Sequence, residues 1–147
     1  MISTKGRYAL RVMLDLAAQD PDKYIPLDEI ATRQDISKKY LEIVLKTLVS
    51  EKLLKGVRGK GGGYKLTRTP GEYSIGEILE LSEGKLAPVA CLSDCNDPCP
   101  RRDNCITLPM WKRYYELTHD FFYGITLEDL LNEFMENSEI SMIDSSL

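Results

Sequence analysis

The chain has 147 residues, 43% of them hydrophobic and 29% charged, which is the composition of a globular domain rather than of a disordered or fibrous chain. No apolar run approaches the roughly 18 residues of a membrane span, and Met1–Lys5 lacks the apolar centre of a signal peptide, so a cytoplasmic protein off the membrane is expected. The net charge of −4 divides unevenly: residues 1–68 carry 14 Lys+Arg against 8 Asp+Glu, and residues 69–147 carry 5 against 15. A basic first half suits a polyanionic partner; the acidic second half does not.

In chain order, a helix is expected from about Thr4 to Ala18, with Tyr8, Leu10, Met13, Leu14 and Ala17 on its apolar face. Gln19–Asp22 breaks it. Pro26–Ala31 reads as a short second helix, with proline in its first turn and acids near its positive end. Ser37 is a good N-cap for a third helix, in which Leu41, Val44, Leu45 and Leu48 recur at i, i+3, i+4 and i+7. Lys38, Lys39, Glu42 and Lys46 fall off that stripe and face outward. Leu53–Arg58 and Tyr64–Thr67 are short strands around Gly59–Gly63, a hairpin with a basic, glycine-rich tip. Short helices, a capped third helix and a basic hairpin in this order describe a winged helix-turn-helix.

Thr69-Pro70-Gly71 closes that unit. Ser74 and Glu77 have capping-box spacing and open a short helix through Leu81, ended by Gly84. Pro88–Asn104 reads as a loop, and Leu108–Tyr123 as a long amphipathic helix. Its face of Trp111, Tyr114, Tyr115, Thr118, Phe121 and Phe122 is too wide for a small domain to cover, so it reads as a dimer helix. Thr126 caps a final helix, and fraying is expected from about Asn137. The fold expected is mainly α with a small β-hairpin wing. Residues 1–70 form the reader, 71–87 a connecting helix, 88–106 a cysteine-rich loop, 107–136 the dimer and final helices, and 137–147 a flexible tail.

An α-helix fits the major groove of B-DNA, where residues of its first turns reach base edges. Here those are Ser37, Lys38, Lys39, Tyr40 and Glu42; lysine and serine suit phosphate or guanine, and a carboxylate can accept from cytosine N4. Arg58 and Lys60 on the hairpin would approach phosphates or the minor groove, helped by glycines that permit close backbone approach. The glycine run is no nucleotide-phosphate loop, because it lacks the Gly-Lys-Ser/Thr ending and precedes a strand. No nucleophile–base pair appears, so the chain is not read as an enzyme.

Cys91, Cys95, Cys99 and Cys105 are the only cysteines and lie within fifteen residues. Clustered thiols in a reducing compartment bind metal or do redox work more often than they pair structurally. Soft thiolates select an iron–sulfur cluster, copper(I) or zinc. The spacing lacks the two-pair rhythm usual for zinc. Arg101 and Arg102 beside them would favour thiolates.

Several of these motifs together resemble the Rrf-two family of winged-helix regulators, of IscR/NsrR/CymR type, and most closely its iron–sulfur biogenesis regulators. The likeness is carried by Ser3–Ala9, Ser37–Glu42, Val57–Tyr64, Pro88-Val89, Cys105–Trp111 and Ile125–Leu130, and runs to about residue 135. It implies a homodimeric transcriptional repressor of cluster-assembly genes, bound to a palindromic operator, with Glu42 and Arg58 reading or clamping DNA. It also implies a cluster of [2Fe-2S] type on Cys91, Cys99 and Cys105, the last two at the family's spacing. The family's fourth ligand, a histidine, is replaced by Leu108; Cys95 is then a candidate fourth ligand. His119 falls well down the dimer helix, and the position where some relatives place an acidic ligand is Arg7. Alternatives left open are a cluster-free regulator of cysteine or sulfur metabolism working by thiol redox, by zinc, or through a partner enzyme.

Overall fold

Ser3 opens the first helix, α1 (Thr4–Ala17): its hydroxyl accepts from the amides of Lys5 at 3.1 Å and Gly6 at 3.5 Å, two of the donors a helix start leaves unpaired. The computed structural model describes residues 1–93 and 99–146. α2 (Leu27–Gln34) runs three residues past the end expected from sequence. The cause is tertiary. Arg33 donates through Nε and Nη2 to both carboxylate oxygens of Asp15, each at 2.9 Å, and Gln34 adds a bond to the same carboxylate at 3.1 Å. Asp15 is buried on α1, so this pairing satisfies a charge that would otherwise be costly inside the fold. Asp35 then turns the chain at φ 51°, and Ser37 caps α3 (Lys38–Ser50) by accepting from the Tyr40 amide at 3.3 Å.

The expected stripe of α3 is the centre of the core: Leu41, Val44, Leu45 and Leu48 are all buried, against Val12, Met13 and Leu16 of α1 and Ile30 of α2. β1 (Leu54–Val57) and β2 (Gly63–Leu66) pair antiparallel, with Leu54 opposite Leu66 and Val57 opposite Gly63. Ile25 joins them from the segment before α2, exchanging two backbone bonds of 2.9 Å with Tyr64. This bridge fastens the hairpin to the helices.

Tyr73, fully buried, locks the base of the wing. Its hydroxyl donates to the Leu53 carbonyl at 2.8 Å and accepts from the amides of Thr67 and Arg68 at 2.9 and 3.0 Å. α4 (Ile75–Glu83) begins at Ser74, whose hydroxyl accepts from the Glu77 amide at 3.1 Å. The expected reciprocal box is only half made. Glu77 turns its carboxylate to Arg68 at 2.8 Å, a charge-assisted bond that a backbone amide does not match.

Beyond α4, the region expected to be a loop contains one helical turn, α5 (Ala90–Ser93), and a 3-10 turn at Arg102–Asn104. α6 spans Leu108–Tyr123, as expected, and packs on α4. Its uncovered face differs from the one read off the sequence. Trp111, Tyr115, Thr118 and Phe122 are half-buried, whereas Met110, Tyr114, Leu117 and Phe121 are exposed at steps of 4, 3 and 4 residues. α7 (Leu127–Asp144) starts with a full capping box between Thr126 and Asp129 and continues well beyond Asn137, where fraying was expected. No described helix is long and apolar enough to cross a membrane.

Candidate nucleic-acid interface and cysteine segment

Because α3 buries one face, the opposite one is committed to solvent. Lys39, Glu42, Ile43 and Lys46 occupy it at i, i+3, i+4 and i+7, all exposed. The other expected DNA-facing residues of this helix have partners within the fold. The Ser37 hydroxyl is engaged as the cap, and the Lys38 ammonium reaches back 2.9 Å to Asp28 on α2. Tyr40 is half-buried, with its ring edge-on to Tyr8 at 5.4 Å; the guanidinium of Arg11 lies 5.1 Å above the Tyr8 ring. Lys46, expected to face outward but not placed among the DNA-facing residues, completes the outward stripe together with Ile43. Counting helical steps from Lys39 would have found Ile43 as well.

The wing supplies the second wall. A cleft of about 520 Å³ separates α3 from the β1–β2 hairpin, with Glu42 and Lys46 on one side and Val57, Arg58 and Tyr64 on the other. Glu42 and Arg58, sixteen residues apart in the chain, therefore face one space. Arg58 also borders the tip, where Lys60 is exposed. The tip turns through Gly59 and Gly61 at φ +93° and +75°, conformations that L side chains rarely adopt. Gly62 and Gly63 are required for a different reason: a Cβ on either would run into backbone carbonyls, of Val57 and Ile25 respectively.

Of the cysteines, Cys91 lies on α5, and Cys99 and Cys105 flank the 3-10 turn; all three are half-buried and unpaired. Cys95 falls outside the described residues. The Thr107 hydroxyl, 3.5 Å from Cys105 Sγ, together with the amides of Thr107 and Leu108, holds the Cys105 thiol below its usual range. Thiols of this kind suit an iron–sulfur cluster chemically. Geometrically the fit is incomplete: among the described residues, no three Cys, His, Asp or Glu side chains converge into a metal-holding group. Leu108, where the family's histidine would stand, is buried. His119 stacks on Tyr123 with ring centres 4.3 Å apart, far down α6.

The sequence matches the family described as "Rrf2: Iron-dependent Transcriptional regulator" over residues 2–133. The chain belongs to the Rrf2 family. Within the Rrf2 regulators it is 34% identical, over 131 residues, to the HTH-type transcriptional regulator IscR of Pectobacterium carotovorum, a match covering 89% of this chain and 79% of that one. Among solved structures it resembles T. potens IscR, with a TM-score of 0.74 and 31% identity over 93% of this chain and 90% of the other. It also resembles CymR, the global cysteine regulator of B. subtilis, with a TM-score of 0.72 and 32% identity over 90% and 97% of the two chains. The Rrf2 winged-helix fold expected from the motifs is thus the fold observed.

Proposed function

We propose that this Rrf2 regulator binds a roughly palindromic DNA operator as a homodimer and represses iron–sulfur assembly genes in response to a cluster held by Cys91, Cys99 and Cys105. The observation that carries DNA binding is the shared cleft of Glu42 and Arg58 between helix and wing. α3 enters the major groove, where Lys39, Glu42 and Lys46 meet base edges and flanking phosphates. Arg58 and Lys60 reach the backbone or minor groove from the wing. Ser37, Lys38 and Tyr40 serve the same interface, Ser37 and Tyr40 by fixing the start and tilt of α3. Two such readers are joined through α6, whose exposed Met110, Tyr114, Leu117 and Phe121 repeat in the 4-3-4 rhythm of a helix–helix seam. Residues 1–70 act as the reader, 71–87 as the connector, 88–106 as the sensing segment, and 107–136 as the dimer module.

Titration of fluorescent duplex from its own upstream promoter, at several salt concentrations, tests the reader. Log affinity should fall linearly with log salt. Arg58→Ala should weaken binding and flatten that slope by about one ion, whereas Glu42→Ala should change which sequence is preferred. Salt-independent affinity would overturn the reading. The cluster has its own test in visible absorption with iron and sulfide content on anaerobically reconstituted protein. Colourless, iron-free protein refutes it.

A second reading, sensing by the thiols alone, is favoured by the lowered thiol of Cys105, since the thiolate is the reactive form. Thiol counting and zinc analysis on the same sample separate the two.

A further inference from the structure

We infer that Ile43 reads a thymine through its C5 methyl group in the duplex this protein binds, an inference that rests on the DNA-binding function proposed above. Ile43 is 51% exposed in the middle of the outward stripe of α3. The core does not require it there: Leu41, Val44, Leu45 and Leu48 already cover the inner face. Helix formation does not favour it either, since a β-branched residue in an exposed helix is poorer than alanine, lysine or glutamate. In the free protein this side chain leaves apolar surface in water. Covering it with a partner's apolar group would be favourable.

The surroundings select the partner's chemistry. Glu42 adjoins Ile43, Lys39 lies one turn before it, and Lys46 lies three residues after it on the same face. An apolar group bracketed by lysines fits a surface that is anionic at its margins and carries an apolar spot between them. The major groove has that arrangement, with phosphates on both rims and base edges on the floor. Of the four bases, only thymine presents an apolar group there, the C5 methyl. Cytosine, which the neighbouring carboxylate can accept from, offers an amino donor and no methyl. Glu42 and Ile43 side by side would therefore distinguish the two pyrimidines.

Full-length protein is used to enrich a tight-binding duplex from a random library. That duplex is then resynthesised with each dT replaced in turn by dU, which deletes the methyl and leaves base pairing intact. For the wild type, affinity should drop about fourfold for each methyl that Ile43 covers, the loss expected for exposing one methyl group. Ile43→Ala should bind the unmodified duplex correspondingly more weakly. It should be indifferent to dU at that position while keeping the wild-type response elsewhere. Because Ile43 is half-exposed, Ile43→Ala should melt with the wild type. A tight duplex with no dU-sensitive position, or one whose sensitivity survives in Ile43→Ala, overturns the inference and leaves DNA binding standing. Enrichment of no duplex refutes DNA binding itself, and the inference with it.

Discussion

The carboxylate of Glu83, at the end of α4, sits on the N-terminus of α1, where one oxygen accepts from the Gly6 amide at 3.0 Å. The same oxygen takes the amide and hydroxyl of Ser3 at 2.8 and 2.7 Å. A negative group at this end of a helix is favoured by both the free amides and the helix dipole. The approach is possible because Gly6 has no Cβ; one built there would strike the carboxylate. Glu83→Ala should cost about 1–2 kcal/mol. Gly6→Ala displaces the same group but should cost less, because alanine in a helix is favoured over glycine by about 0.5–1 kcal/mol. In urea unfolding the double variant should be little worse than either single one, because both remove one interaction. Fully additive losses would show that the two residues act separately.

Asp15 holds α2 against α1, and with it the entry to α3. Asp15→Ala should lower stability by about 2 kcal/mol, less than a fully buried pair would lose, because 36% of the Arg33 side chain remains exposed and can be rehydrated. The denaturant midpoint should fall with an unchanged slope.

The wing glycines separate by mechanism. Gly61→Ala meets open space and pays only for its left-handed backbone, about 1 kcal/mol. Gly63→Ala meets the Ile25 carbonyl as well as an unfavourable φ of +148°, and should break the bridge to Tyr64. Hydrogen exchange should show the Ile25 and Tyr64 amides losing protection in Gly63→Ala and keeping it in Gly61→Ala.

Tyr123 ties α6 to α4 by donating to Glu80 at 2.7 Å. Burial first, then the bond to Glu80 and the charges of Glu80 and Glu77, push its phenol up to about 12 from an ordinary 10.0. The folded state thus prefers the neutral phenol. Its contribution is full below pH 10 and is lost as pH rises through about 12. Wild-type stability should fall more steeply over that window than Tyr123→Phe, as read from unfolding curves at successive pH values. Parallel pH profiles would contradict the assignment.

Features that depend on a few adjacent residues were legible in the sequence. Ser37 and Thr126 cap the helices their spacing indicates, the buried stripe of α3 is the one its period marks, and the wing forms around its glycines. Each follows from interactions within about one helical turn or one hairpin, where sequence neighbours are spatial neighbours. The family motifs likewise pointed to the Rrf2 fold. Tertiary structure decided what crosses longer distances. Glu77 leaves its local cap for Arg68, Asp15 lengthens α2, and Glu83 finds the start of α1 nearly eighty residues away. It also decided which apolar residues of α6 and α3 stay uncovered, putting Leu117 and Ile43 outside and Phe122 against the core. A hydrophobic side chain is compatible with either face of its own helix. Only the elements packed against that helix determine which one is left for a partner.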